Sequence, residues 1–163
     1  MWTRELLIIK DTPDQVLNKL VVKSAKKKHQ LSMDQLVNWQ TKFLAYYHEV
    51  YRRAQRNEIY YTLDCVDKMR QLVVMGWCYQ DGHLQNSFGD WSKYQGVRSK
   101  LTNSQQEQLT QFFVNQDLNQ LASVMTQFSM VFLSICEKIE TKQRLPYSQH
   151  ECSRIFEMVE FSH

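Results

Sequence analysis

Three groups of residues in this chain have the types and spacing to do chemistry. The first is a single arginine. At about 100° per residue, Arg70 falls within about 60° of Ile59, Leu63, Val66 and Val73 on a helical wheel, so it shares the apolar face of its helix. A guanidinium stays charged at any ordinary pH and needs acceptors wherever it is buried. Either of two partners would satisfy it: an internal salt bridge at the edge of a bundle, or a ligand anion at the mouth of a cleft. The second group is Tyr60, Asp64 and Asp67, about a quarter turn away on the same helix. Two carboxylates beside a tyrosine suit a polycationic or polyhydroxylated ligand. They equally suit a solvated helix face, and Asp67 more so than Asp64. The third group is Trp91, Lys93, Tyr94, Arg98 and Lys100, which alternate aromatic and basic side chains along one stretch. Aromatic faces stack on flat rings, and lysine or arginine meets phosphate. The same stretch would also serve as a plug, with Trp91 and Tyr94 closing the end of a bundle. No His-Glu-x-x-His, phosphate-binding glycine loop or nucleophile elbow accompanies these groups.

The elements that must position them are helices. Only 4 Gly and 2 Pro interrupt 163 residues, which favours long helices over many short strands. Asp11-Thr12-Pro13-Asp14 is a helix start, and the helix it opens carries Val16, Leu17, Leu20 and Val21 and ends near Lys26 to His29. Those cations complement the helix dipole and read as a solvated end, not a binding patch. Ser32-Met33-Asp34-Gln35 forms a capping box ahead of a stripe of Leu36, Trp39, Phe43, Tyr47 and Val50. Asn57 is expected to cap a third helix with Ile59, Leu63, Val66, Met69, Val73 and Trp77 inside, stopped by Asp81-Gly82. Residues 83–102 lack a helical period and predict a long ordered loop, a length usually associated with function. Asn103 or Ser104 opens a fourth helix, and Asp117 a fifth with Leu121, Met125, Phe128, Phe132, Ile135 and Ile139, ended by Pro146. An amphipathic tail carries Ile155, Phe156 and Val159. Leu6 to Ile9 is the one short strand candidate.

The fold expected is therefore all-α: one domain over 1–163, an up-and-down bundle of five or six helices with at most one short N-terminal strand. Residues 1–10 read as linker, 11–145 as bundle and 146–163 as tail. At 43% hydrophobic and 23% charged the composition is globular, and a net charge of +3 is too small to imply nucleic-acid binding. Cys65, Cys78, Cys136 and Cys152 are too far apart in sequence for a zinc knuckle or redox pair, so reduced thiols in a cytoplasm are expected. The most apolar run, Val124 to Cys136, is polar-interrupted and shorter than the ~20 residues a membrane span needs.

Arg56-Asn57-Glu58-Ile59 with Asp64 five residues on, the bulky apolar run to Trp77, and the Gly-x-x-x-Lys loop from Gly89 to Lys93 resemble the C-terminal helical domain of aminoglycoside nucleotidyltransferases. The streptomycin 6-adenylyltransferase type is the nearer likeness, the lincosamide enzymes a more distant one. The resemblance runs from about Leu36 to Ile139. It implies a two-domain enzyme in which a polymerase-like palm holds ATP and Mg²⁺, and the helical domain contacts nucleotide and antibiotic. The chain has no Gly-Ser pair and no Asp-x-Asp or Asp-x-Glu pair, so the metal site of in-line transfer is missing. It resembles the helical half without the catalytic half, with no cofactor of its own. On this likeness Asp64, Arg70, Trp91, Lys93, Arg98 and Lys100 are the expected ligand-binding residues. The partners expected are a nucleotide or aminoglycoside-like small molecule, a catalytic nucleotidyltransferase domain or subunit, or a second copy, with neither membrane nor nucleic acid. Two other readings compete. One is a helical interaction or dimerisation module with no small ligand, which an exposed groove of Trp39, Tyr46, Tyr47 and Tyr51 would favour. The other is a helical ribonuclease toxin, whose spacing Arg144 and His150 match loosely, although Pro146 stands between them.

Overall fold

The computed structural model describes residues 10–25, 28–83, 88–92, 94–96, 99–116, 118–146 and 149–159. Among the described residues six helices account for the fold: α1 (Val16–Ala25), α2 (Met33–Gln55), α3 (Ile59–Gln80), α4 (Asn103–Gln111), α5 (Leu121–Gln143) and α6 (Gln149–Glu157). There is no strand among the described residues, and the expected strand at Leu6 to Ile9 lies outside them. No helix of the described residues is long and apolar enough to cross a membrane.

Local chemistry sets the boundaries. Ser32 caps α2 as expected: its hydroxyl accepts from the Gln35 amide at 3.2 Å, and the Gln35 side chain accepts from the Ser32 amide at 3.0 Å. The α2–α3 turn differs from expectation. Asn57 does not cap α3; it takes a left-handed φ of 57°, a conformation that asparagine tolerates, and so reverses the chain. Glu58 follows at the N-cap, yet its carboxylate turns away to accept from Arg53 Nη1 at 2.6 Å. Arg53 also donates to Glu49 and lies 4.1 Å from the centre of the Tyr61 ring, so one guanidinium fixes the hairpin. Thr102, not Asn103 or Ser104, caps α4, again in a capping box with Gln105. The expected α5 cap, Asp117, lies outside the described residues, and the helix opens at Leu121. It ends at Gln143, three residues before Pro146, where Arg144 turns left-handed.

α2, α3 and α5 form the frame. α3 packs against both of the others, and Gly76 makes the close approach possible, since a Cβ there would lie 2.6 Å from Trp39 and 2.9 Å from Ile135. Trp39 is buried and donates from its indole nitrogen to the Leu72 carbonyl at 2.8 Å. Aromatic rings fill the centre. Phe43 stacks on Phe132 at 4.3 Å, Phe112 on Phe128 at 4.2 Å, and Trp39 on Phe132 at 5.0 Å. The tail expected after Pro146 is α6, whose Phe156 seals the α2–α5 groove edge-on against Tyr47 and Phe132. Of the expected inner-face residues of α3, Ile59 and Leu63 are only partly buried. Trp39 and Tyr47 are core residues, so the aromatic stripe of α2 forms no exposed groove.

The Gln143 amide ties the end of α3 to the segment before α2. The Gln143 side chain donates to the Tyr79 carbonyl at the end of α3 and accepts from the Leu31 amide, at 2.9 Å in the latter case. α1 itself is not packed into this frame: Val16 and Leu17 are each 47% exposed and Leu20 is 56% exposed.

Candidate functional site

α3 carries the polar centre of the molecule. Asp67, Arg70 and Gln71 are spaced so that one carboxylate meets both neighbours along the helix. Asp67 Oδ1 accepts from Arg70 Nη1 at 3.0 Å, and Asp67 Oδ2 accepts from Gln71 Nε2 at 3.3 Å. The loop after α3 is drawn onto the same three residues. The Gly89 amide donates to Gln71 Oε1 at 2.9 Å, and the Trp91 indole nitrogen donates to Asp67 Oδ2 at 3.4 Å. Tyr94 is buried and meets Trp91 edge-on at 6.2 Å.

Arg70 emerges from this network into a cleft. Its side chain is 11% exposed. The guanidinium carbon lies 3.7 Å from the centre of the Phe113 ring and 4.8 Å from that of Trp91, distances at which a cation is held by ring faces. Burial pulls its pKa below the ordinary arginine value, and the Asp67 charge and hydrogen bond oppose that shift. Arginine remains a cation through such a shift. Its Nε is buried with no hydrogen-bond partner among the described residues. Beyond Arg70 the cleft has a volume of about 220 Å³, with Trp91, Tyr94 and Gln95 on the loop side and Gln106, Leu109, Thr110 and Phe113 on the α4 side. The arrangement offers flat apolar faces, a charge-compensated guanidinium at the wall, and amide and hydroxyl groups of Gln95, Gln106 and Thr110. This is the equipment to seat a ring and hydrogen-bond its edge.

Of the six residues expected from sequence, Arg70 and Trp91 meet in this cleft. Asp64 does not line it; it is exposed on α3 and pairs with Lys68 at 3.6 Å. Lys100 is exposed and does not line it either; its charge acts on Cys78, near the far end of α3. Lys93 and Arg98 lie outside the described residues. Sequence reasoning underrated Asp67, read mainly as a solvated acid, and passed over Gln71 and Phe113. The signals were present: Asp67 is three residues before Arg70, Gln71 is four after Asp67, and Phe112-Phe113 places two large rings where a helix end can bury only one. Phe112 is fully buried and Phe113 is 55% exposed over Arg70. Arg144 and His150 stand on different elements, Arg144 at the left-handed end of α5 and His150 exposed on α6, so they do not share a helix face. No cluster of His, Cys, Asp and Glu that could hold a metal occurs among the described residues. No family model, curated protein or solved structure matches the chain.

Proposed function

We propose that this chain is a non-catalytic, ligand-binding helical domain of a nucleotidyltransferase-like protein, and that the Arg70 cleft receives the flat ring of its ligand, a nucleotide being the first candidate. One observation carries the reading: a guanidinium held against two aromatic faces at the wall of an open cleft, with its Nε lacking a partner. A residue serving the fold alone would be expected to reach its carboxylate without a cleft beside it. The volume of about 220 Å³ is below the roughly 300–1,000 Å³ of sites that enclose a whole ligand, so a ring enters and the remainder stays outside. Stacking contributes about 1–3 kcal/mol per base. Arg70 is already compensated by Asp67, so charge adds little, and the isolated domain binds with millimolar affinity, equivalent to about 4 kcal/mol. Phosphates and Mg²⁺ would be held by a palm-like partner, and this chain transfers nothing by itself. Its four buried free thiols suit a reducing, cytoplasmic setting.

The test is an NMR titration with ATP and with adenosine. Shifts should cluster on Trp91, Tyr94, Gln106 and Phe113 for both, and Trp91→Ala should remove them in a protein that keeps the parent's helical circular dichroism. An absence of shifts at these residues at several millimolar of either compound defeats the reading.

A further inference from the structure

We infer that Thr110 reads the edge of the ring seated in the Arg70 cleft, and that it selects a nitrogen heterocycle carrying an N–H donor, such as an exocyclic amine, over the same ring without one. The inference rests on the ring-binding reading above and adds which rings qualify. The cleft has two polar walls of opposite hydrogen-bonding sense. On the α3 side Arg70 lines it, and a guanidinium can only donate. On the α4 side Gln106, Thr110 and Phe113 line it. Gln106 and Thr110 are four residues apart and share one face of α4, with Leu109 buried beside them. Phe113 follows just past the helix end. Its amide donates to the Thr110 carbonyl at 3.3 Å, and its ring lies over Arg70. Thr110 therefore stands beside the ring that covers the guanidinium.

Two hydrogen bonds fix what the α4 wall offers. The Thr110 hydroxyl donates to the Gln106 carbonyl at 2.9 Å. A carbonyl only accepts, so the single hydroxyl proton is committed there and Oγ1 meets a ligand as an acceptor. The Gln106 side-chain nitrogen donates to the Leu101 carbonyl at 3.1 Å. The same logic settles which end of that amide is nitrogen, and the other end, Oε1, is again an acceptor. Gln95, exposed on the loop, carries donor and acceptor alike and selects neither. A ring between the walls therefore needs an acceptor toward Arg70 and a donor toward Thr110. A heterocycle whose ring nitrogen neighbours an amine has both on adjacent positions. The unsubstituted ring keeps the stacking faces and the acceptor, but brings no proton to Oγ1. Because the Arg70 charge is met by Asp67, the choice is made by hydrogen bonding and not by net charge.

Adenosine and purine riboside, which differ only in the amine, are the probes. Titrated into the full chain and followed by NMR, both should shift Trp91 and Phe113. Adenosine should bind roughly three- to tenfold more tightly, the effect of one hydrogen bond. Thr110→Val keeps the side-chain shape and removes the acceptor. It should lower the adenosine affinity to that of purine riboside and leave purine riboside unchanged. The variant should keep the parent's helical circular dichroism, because Thr110 is exposed. Thr110→Ser should restore the preference. Equal affinities for the two nucleosides in the parent overturn the inference and leave the ring-binding reading in place. So does a Thr110→Val protein that keeps the preference, or one that weakens both nucleosides equally. Shifts with neither nucleoside defeat the ring-binding reading itself, and the inference with it.

Discussion

Gly76→Ala sets two well-defined effects against each other. Alanine is the better helix former by about 1 kcal/mol, so on an exposed helix the change would stabilise. At position 76 the new Cβ would stand 2.6 Å from Trp39 Cζ2, 2.9 Å from Ile135 Cγ2 and 3.2 Å from Ile135 Cδ1. Carbon pairs are comfortable at about 3.5–4.0 Å, so both neighbours would have to retreat by about half an ångström to an ångström. Trp39 cannot retreat alone. Its indole nitrogen is bonded to the Leu72 carbonyl on α3 itself, its ring stacks on Phe132, and both rings are fully enclosed. Relief therefore requires α2 and α5 to shift relative to α3. Overpacking of this kind costs about 1–3 kcal/mol. With clashes on two sides the upper part of that range applies, and after the propensity gain the net loss is about 1–2 kcal/mol. For a chain of this size each kcal/mol lowers the melting temperature by about 2–4 °C. Urea titration at fixed m-value, followed by tryptophan fluorescence and circular dichroism, measures it. Combining the change with Ile135→Ala should show favourable coupling, because the smaller side chain opens the space that the new methyl needs. A Gly76→Ala protein as stable as the parent, or more so, would mean that the three helices do not meet at Gly76 as described.

Two other expectations concern the core. Phe128 is fully buried, stacked on Phe112 and edge-on to Phe43 at 6.2 Å, so Phe128→Ala should cost about 3–5 kcal/mol; a denaturant midpoint close to the parent's would refute that placement. Burial pushes the thiols of Cys65 and Cys78 up to about 11 and that of Cys136 to about 12, so the native protein should resist a thiol-specific reagent at pH 8 and react fully once unfolded. The same shifts fix a sign. The unfolded thiols ionise near pH 9 and the folded ones later, so stability is whole below about pH 9 and declines as pH rises toward 11–12; stability that rises over that window would contradict the burial.

The bundle was legible because its signals are repetitive. The stripe from Leu36 to Val50 repeats one period over many residues, and Ser32 with Gln35 is a self-contained start signal, so neither depends on distant chain. The boundaries that were misplaced depend on single residues with two uses. Asn57 can cap a helix or turn left-handed, and the second choice is accompanied by contacts across the turn, the Glu58 amide to the Arg53 carbonyl at 3.0 Å and the Arg53–Glu58 ion pair. Arg70 announced itself as a cation on an apolar face, but its partner was indeterminate from sequence. Asp64 and Asp67 look alike on a wheel, and the choice rests on a loop whose Gly89 and Trp91 arrive from about twenty residues away. The exposure of α1 was illegible for a related reason: its apolar residues predict a buried face and say nothing of which molecule buries it.

The cleft and the core are two faces of one helix, and this explains why the site can be small yet ordered. α3 buries Met69 and Leu72 completely on one side while Asp67, Arg70 and Gln71 hold the loop on the other. A guanidinium on a mobile segment would have to be ordered by each ligand, at a cost of up to about 2 kcal/mol for its side chain. Here that cost is met during folding, because Arg70 is held by its neighbours Asp67, Phe113 and Trp91. Asp67 is the joint between the two faces. Its Oδ2 holds the indole nitrogen of Trp91, so the ring that lines the cleft is positioned by a residue on the most buried helix. Loss of that carboxylate would leave the fold's apolar core intact, free Trp91, and leave Arg70 a largely buried charge without its counter-ion. The site's order therefore rests on one acid that the sequence leaves between a ligand contact and a solvated helix face.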